Sequence, residues 1–127
     1  MPSSPPLKPV EWMGSTLKEL RRFPEHVQDV VGYALHLAQL GEHPPEAKCL
    51  RGELAGLIEI VDDFDGDTYR AVYTVKLRGA IYVLHVFRKK STRGIATPRR
   101  EIVLIKERYR WARAHHAAHY GSEEEER

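Results

Sequence analysis

The chain has 127 residues, a mass of 14.6 kDa, and 42 % hydrophobic and 30 % charged residues. This is the size of one domain, and the hydrophobic fraction excludes a chain that is disordered throughout. The longest apolar run, Ala80 to Leu84, has five residues, whereas a membrane-spanning helix needs about 20. The single cysteine, Cys49, excludes an internal disulfide, so we expect a reducing, cytoplasmic location and no membrane partner.

The charges are unevenly distributed along the chain. Residues 1–67 carry six basic and twelve acidic side chains, whereas residues 68–120 carry thirteen basic and two acidic ones. Residues 121–127 carry one Arg and four Glu. The net charge of +11 over residues 68–120 predicts a surface that binds a polyanion. The alternative is a solvated basic face without a ligand.

The first half of the chain predicts a strand followed by two helices. Residues 1–7 are expected to form a flexible leader, and Lys8 to Met13 a first strand. Ser15 is a candidate N-cap of a short helix that ends near Arg22. A second helix, with apolar residues at helical spacing, is expected to run from Pro24 to a stop at Gly41. We expect residues 42–53 to form a loop.

The second half predicts three strands and a helix. The strands are expected over Leu57 to Asp62, Thr68 to Val75 and Ala80 to Arg88, and short turns between them imply an antiparallel meander. Thr97 is the candidate N-cap of the last helix and Pro98 occupies its first turn. The apolar stripe of this helix comprises Ile102, Ile105, Tyr109 and Ala112, widened by Leu104 and Trp111. The helix is expected to fray after about His116. This gives a domain over residues 8–116 and an acidic tail over 117–127.

A basic cluster lies between the last strand and the last helix. It comprises Arg88, Lys89, Lys90, Arg93, Arg99 and Arg100. Alternation along the preceding strand places Arg70 on the face of Thr68, Val72 and Thr74. If the opposite face packs against the helices, Arg70 points over an open sheet, beside a helix N-terminus that favours phosphate. The alternative is an ion pair between Arg70 and Glu59 on the neighbouring strand.

Other constellations do not predict a metal or cofactor. His115 and His119 have helical spacing, but no carboxylate accompanies them, which favours an exposed helix end over a metal site. His85 lies among apolar strand residues and is interpreted as a core histidine.

Cleavage of RNA requires no metal, because the 2′-OH can attack its own phosphate when cationic groups hold the geometry. A lysine crowded by like charges has a lowered pKa and is a better base.

Several ordered motifs resemble the RelE/ParE toxin superfamily, and more narrowly its HigB-type, phage-derived branch. The branch carries a string of Phe-x-Lys-Lys, a polar stretch, Thr-Pro and then an acidic residue and Ile. The corresponding residues here are Phe87, Lys89, Lys90, Thr97, Pro98, Glu101 and Ile102. Further pieces are Leu50-Arg51-Gly52, Leu57-Ile58-Glu59-Ile60 and Tyr69-Arg70-Ala71-Val72-Tyr73. The resemblance covers roughly residues 8–115.

The resemblance implies a RelE-like α+β fold and a function. The fold is a short strand, a helical hairpin, an antiparallel sheet and a C-terminal helix. Such proteins are toxins that cleave mRNA, usually on the ribosome, without a cofactor, and a cognate antitoxin, commonly a helix-turn-helix protein, silences them. Members of the ParE branch instead act on gyrase. The alternatives are therefore a non-catalytic, gyrase-type toxin and an inactive nucleic-acid-binding relic.

The resemblance also implies roles for individual residues. Arg70, Lys89 and Lys90 are the expected catalytic residues: Arg70 would stabilise the phosphate, and the lysines would bind or activate RNA. The basic cluster extends this set with RNA-binding residues, namely Arg88, Arg93, Arg99 and Arg100. Tyr109 is a possible C-terminal participant, with packing in the core as the alternative. Where the branch often carries an Arg, two residues after Glu59, this chain has Val61.

Overall fold

The computed structural model describes residues 7–90 and 97–121, which form one sheet with helices packed on both faces. The predicted α+β class is confirmed, as is each predicted helix and strand. The elements are, in chain order, β1 (Val10–Trp12), α1 (Thr16–Arg21), α2 (Glu25–Gln39), β2 (Lys48–Cys49), a 3-10 helix (Gly52–Leu54), β3 (Ile58–Phe64), β4 (Asp67–Thr74), β5 (Ile81–Lys90) and α3 (Arg99–Tyr120).

The sheet has the strand order β1-β5-β4-β3-β2. Strands β3, β4 and β5 form the predicted antiparallel meander, and β1 joins β5 in parallel, with Val10 opposite Ile81. The expectation that residues 42–53 form only a loop is wrong. Lys48 and Cys49 pair with the start of β3, and the 3-10 helix follows them. Pairing gives hydrogen-bond partners to backbone groups at the edge of β3. This gain outweighs the low strand propensity of the polar, proline-containing segment.

The strands run longer than predicted on both sides of the β3–β4 turn. Asp65 and Gly66 form the loop with φ angles of 53° and 85°, so that Phe64 pairs directly with Asp67. Positive φ at both residues is the geometry of the two-residue hairpin turns that match strand twist. The predicted turn of five residues therefore contracts to two, and its flanking residues extend the strands.

Each face of the sheet packs against a different helix. On one face, side chains from α2 and the meander form a core, whose most buried members include Val27, Ala34, Ile60, Ala71 and Tyr73. On the other face, Ile105 and Ala112 of α3 pack on a second set, which includes Leu57, Val72, Tyr82 and Leu84. The face of Arg70 is therefore not open along its whole length. Val72 and Thr74 are buried, and the face opens only towards Thr68.

A β-bulge in β5 sets the direction of its last residues. Val72 pairs with His85 whereas the next residue, Tyr73, pairs with Val83, so Leu84 has no partner of its own in the ladder. A bulge bends the strand and re-aims the side chains beside it. Leu84 packs under α3, and the ring of the adjacent His85 contacts Glu101 and Arg108 of the same helix.

The predicted end of α2 is confirmed, whereas the predicted capping bond of α1 is absent from the described structure. At the end of α2, Gly41 has a φ of 84°. Its N–H donates a hydrogen bond to the Ala38 carbonyl, and the Glu42 N–H donates one to the Leu37 carbonyl. These two bonds form a Schellman motif, which confirms Gly41 as the stop. Ser15 is at the N-cap of α1 but its side chain makes no capping bond.

The last helix begins and ends later than predicted. Its N-cap is Pro98 rather than Thr97, and no side chain makes a capping bond there. The expected end near His116 is also wrong. The His116 ring donates a hydrogen bond to the Arg78 carbonyl, and the Tyr120 hydroxyl donates to Glu11, so the last turn is fixed against β1 and the start of β5. Trp111, expected in the buried stripe, is 48 % exposed.

Candidate functional site

Arg70 and Lys89 lie on one face of two paired strands. Arg70 in β4 is opposite Phe87 in β5, and Lys89 is opposite Thr68, which makes Arg70 and Lys89 diagonal neighbours. Diagonal pairs in an antiparallel ladder have Cα atoms about 7–8 Å apart, within reach of long side chains. The meander thus brings together two of the three predicted catalytic residues. The third, Lys90, ends β5 opposite Asp67, and its side chain lies outside the described part of the structure.

A carboxylate accompanies these cations. The Arg70 Nη1 donates a hydrogen bond of 3.2 Å to Glu59, and the two side chains are 18 % and 6 % exposed. This is the ion pair that the sequence offered as an alternative to a free Arg70. The guanidinium retains donor capacity, because its Nε is buried and has no acceptor among the described residues. Arg70 is therefore held in place by Glu59, and its Nε is a donor without an acceptor in the described part of the chain.

Lys89 has an environment that lowers the pKa of its amine. The residue is only 8 % exposed, and burial is the main cause that lowers its pKa. The positive charge of Arg70 lowers this pKa further, while Glu59 acts in the opposite direction. A lowered pKa increases the fraction of neutral amine at a given pH, so Lys89 is a stronger candidate for proton transfer than an exposed lysine.

His85 is buried, and both of its ring nitrogens have hydrogen-bond partners. Its Nε2 lies 2.7 Å from the Glu101 carboxylate, and its Nδ1 accepts a hydrogen bond of 2.9 Å from Arg108. Because Arg108 only donates, Nδ1 carries no proton and Nε2 is the donor to Glu101. Burial lowers the pKa of His85, which keeps the ring neutral. Both nitrogens are occupied, and the interpretation as a core histidine is confirmed.

The His85 contacts fix the first turns of α3 beside the cation pair. Glu101 lies in the first turn of α3, and the His85 ring stacks on Phe87, the partner of Arg70, with centroids 5.0 Å apart. Glu101 and Arg108 were missed as partners of His85 in the sequence. The available signal was Arg108 itself, a charged residue three positions after Ile105 on the buried side of the helix.

The described members of the predicted RNA-binding set, Arg88, Arg99 and Arg100, contact carboxylates other than Glu59. Arg88 lies next to Lys89 along β5, and its Nε is 3.7 Å from Asp67. Arg99 forms an ion pair with Glu53 of the 3-10 helix, and Glu53 also forms an ion pair with Lys106. Arg100 is 84 % exposed at the start of α3, and Arg93 lies outside the described residues.

Tyr109 packs rather than pointing to the cation pair. It lies against the core under α3, in contact with Arg113, whose guanidinium stacks on its ring at 4.5 Å. This arrangement agrees with the core alternative. Two histidines of α3, His115 and His116, lie against the ring of Tyr82. His116 is 1 % exposed, and His115 bonds the Tyr82 hydroxyl, so the expected exposed helix end is wrong for His116.

Within residues 7–90 and 97–121, no group of three or more His, Cys, Asp or Glu side chains is arranged to hold a metal ion. In the same ranges, no helix combines the length and the apolar character that a bilayer crossing requires.

The profile of a family described as "Phage derived protein Gp49-like (DUF891)" matches residues 18–110. No curated protein matches the chain. Among solved structures, it is similar to a chain of the toxin–antitoxin complex RelBE2 from Mycobacterium tuberculosis, with 22 % identity and a TM-score of 0.43, covering 68 % of this chain and 94 % of that one. The profile match spans the strands that carry Arg70 and Lys89.

Proposed function

Because this profile covers most of its length, the chain belongs to the Gp49-like family of phage-derived proteins, and from this premise we propose that it is the toxin of a toxin–antitoxin system. The membership agrees with the motif resemblance to the HigB-type branch. The proposal includes a cognate antitoxin, with a helix-turn-helix protein as the expected type. A further part of the proposal is the activity, metal-independent cleavage of mRNA on the ribosome.

One observation carries the activity. Arg70 is fixed by Glu59 with part of its guanidinium unsatisfied, and Lys89, with a lowered pKa, lies diagonally across the ladder. In general, a fixed guanidinium is suited to bind a phosphate and to stabilise charge that develops on it. A partly neutral amine nearby is suited to take a proton.

The proposed reaction uses these two groups in defined steps. Neutral Lys89 takes the proton of the ribose 2′-OH, and the 2′ oxygen attacks the adjacent phosphorus. The bond from phosphorus to the 5′ oxygen breaks, and water supplies a proton to that oxygen. Arg70 binds the non-bridging oxygens throughout. The products are a 2′,3′-cyclic phosphate and a 5′-hydroxyl end, and Lys90 contributes further positive charge.

The test is controlled expression in bacteria with mapping of mRNA ends. Removing Arg70 alone would deprive the buried Glu59 of its hydrogen-bonded partner, so the test variant is Glu59→Gln combined with Arg70→Met. The matched control, Glu107→Gln with Arg110→Met, removes one charge of each sign from α3 instead. We expect growth arrest and new mRNA ends with the wild type and the control, and neither with the test variant. Arrest without new ends would overturn the nuclease proposal and favour a gyrase-type target.

A further inference from the structure

A groove runs along the free edge of β5, beyond the end of β1. It has a volume of about 750 Å³, and α1, the Phe23-Pro24 segment and α3 border it. Its apolar lining includes Phe23, Val86, Phe87 and Leu104. The volume is within the range of pockets that bind ligands, about 300–1,000 Å³. This groove does not contain Arg70 or Lys89 among its lining residues.

The floor of the groove includes backbone groups without a ladder partner. β1 covers β5 only as far as Val83, whose carbonyl accepts the Met13 N–H. Past the bulge, the backbone N–H and C=O groups of His85 and Phe87 point towards β4. Because these groups alternate in direction along a strand, those of Val86 and Arg88 point away from β4. Within the described residues, neither has a backbone partner on that side. Such an edge is a template for another strand.

The charged residues of the groove favour an anionic occupant. Three arginines line it, Arg22, Arg88 and Arg108, against one carboxylate, Glu19. Arg108 is 9 % exposed and forms hydrogen bonds with the Leu84 carbonyl, His85 and the Ser15 hydroxyl. In the described part of the chain, no carboxylate lies within ion-pair distance of it. Burial lowers the pKa of Arg108, while the carboxylates of Glu19, Glu101 and Glu107 act in the opposite direction.

We propose that this groove binds an extended, acidic segment of a partner protein, which adds to the sheet as a strand along β5. The open N–H and C=O groups of Val86 and Arg88 would hold its backbone, its apolar side chains would contact Phe23 and Leu104, and its carboxylates would contact the arginines. This mode of recognition takes its affinity from main-chain bonds and its specificity from alternate side chains. The inference is independent of the proposed nuclease activity, because peptide binding requires no RNA cleavage.

The first experiment selects peptides and maps their binding. A phage-displayed library of random twelve-residue peptides is selected on the full chain, and the recovered peptide is synthesised with a fluorophore. We expect Asp and Glu to alternate with apolar residues in the recovered sequences. Library members without acidic enrichment, or no recovered binder at all, would overturn the proposal.

Substitutions at Arg88 distinguish the contribution of its side-chain charge to peptide binding from that of its backbone N–H. Arg88→Ala removes an exposed charge and should weaken peptide binding about threefold. Arg88→Pro also removes the edge-facing N–H, without touching the bonds to β4, and should weaken binding about tenfold more. The exposed Arg110→Ala on α3 is the control. Equal affinity for the Ala and Pro variants would contradict strand addition.

Hydrogen exchange tests the same point in the unmodified protein. The amides of Val86 and Arg88 should exchange fast in the free chain and at least about tenfold more slowly with the peptide bound. The amides of His85 and Phe87, bonded to β4, should be protected in both states. Unchanged exchange at Val86 and Arg88 would refute the proposal. So would binding of a twelve-nucleotide uridine RNA that protects these amides when the peptide does not, because the occupant would then be RNA.

Discussion

Loss of Arg70 alone should destabilise the fold, because the buried Glu59 would lose the cation that is hydrogen-bonded to it. Breaking a buried ion pair by removing one partner costs about 3–5 kcal/mol. The Arg70 side chain is 18 % exposed and that of Glu59 is 6 % exposed, so we expect Arg70→Met to reduce the free energy of unfolding by about 2–4 kcal/mol. For a domain of this size, the melting temperature should fall by about 10 °C.

The double variant Glu59→Gln with Arg70→Met should recover most of this loss. Replacement of both charges removes the Glu59–Arg70 pair as a unit, and the Met side chain fills part of the volume of the Arg stem, so we expect stability within about 1.5 kcal/mol of the wild type. Urea unfolding followed by the fluorescence of Trp12 and Trp111 measures all four corners of the cycle. A double variant as unstable as the sum of the two single variants would refute the argument.

Three further predictions concern Lys89, Arg108 and Glu53. If Lys89 is the base, cleavage should rise with pH as the amine loses its proton, and Lys89→Arg should abolish this rise in a pH profile of the cleavage rate. Arg108→Met should lower the free energy of unfolding by about 2–4 kcal/mol, because the buried Leu84 carbonyl and His85 Nδ1 lose their donor; urea unfolding at the wild-type level would contradict this. The bonds from Arg99 and Lys106 lower the pKa of Glu53 to about 2. Any stability that Glu53 adds over Glu53→Gln should therefore be present above about pH 4.5 and disappear as the pH falls to about 2, measured by thermal unfolding across that range.

The sequence predicted those parts of the fold that depend on local patterns. The meander followed from dense β-branched residues around an Asp-Gly turn, and α2 from apolar spacing that ends at Gly41. The errors arose where tertiary contacts determine whether a segment forms a strand or where a helix ends. Pairing with Glu59 and Ile58 makes Lys48 and Cys49 a strand, and the contacts of His116 extend α3 past its expected end.

The candidate site was predicted in part, for a related reason. Strand alternation placed Arg70 on the correct face and Glu59 as its alternative partner, and both proved to be paired. The network of His85, Glu101 and Arg108 depends on the bulge at Leu84, which shifts the register of β5. A register shift has no signature in a single sequence, because the apolar pattern through Ala80 to Phe87 is almost continuous.

The chemistry of the cut RNA ends tests the central claim most directly. Purified protein is added to a translating bacterial extract with a defined mRNA, and the new ends are identified. We predict 2′,3′-cyclic phosphate and 5′-hydroxyl ends with the wild type and with Glu107→Gln/Arg110→Met, and none with Glu59→Gln/Arg70→Met. Ends that carry a 5′-phosphate would contradict attack by the 2′-OH, and intact mRNA with the wild type would contradict the nuclease function.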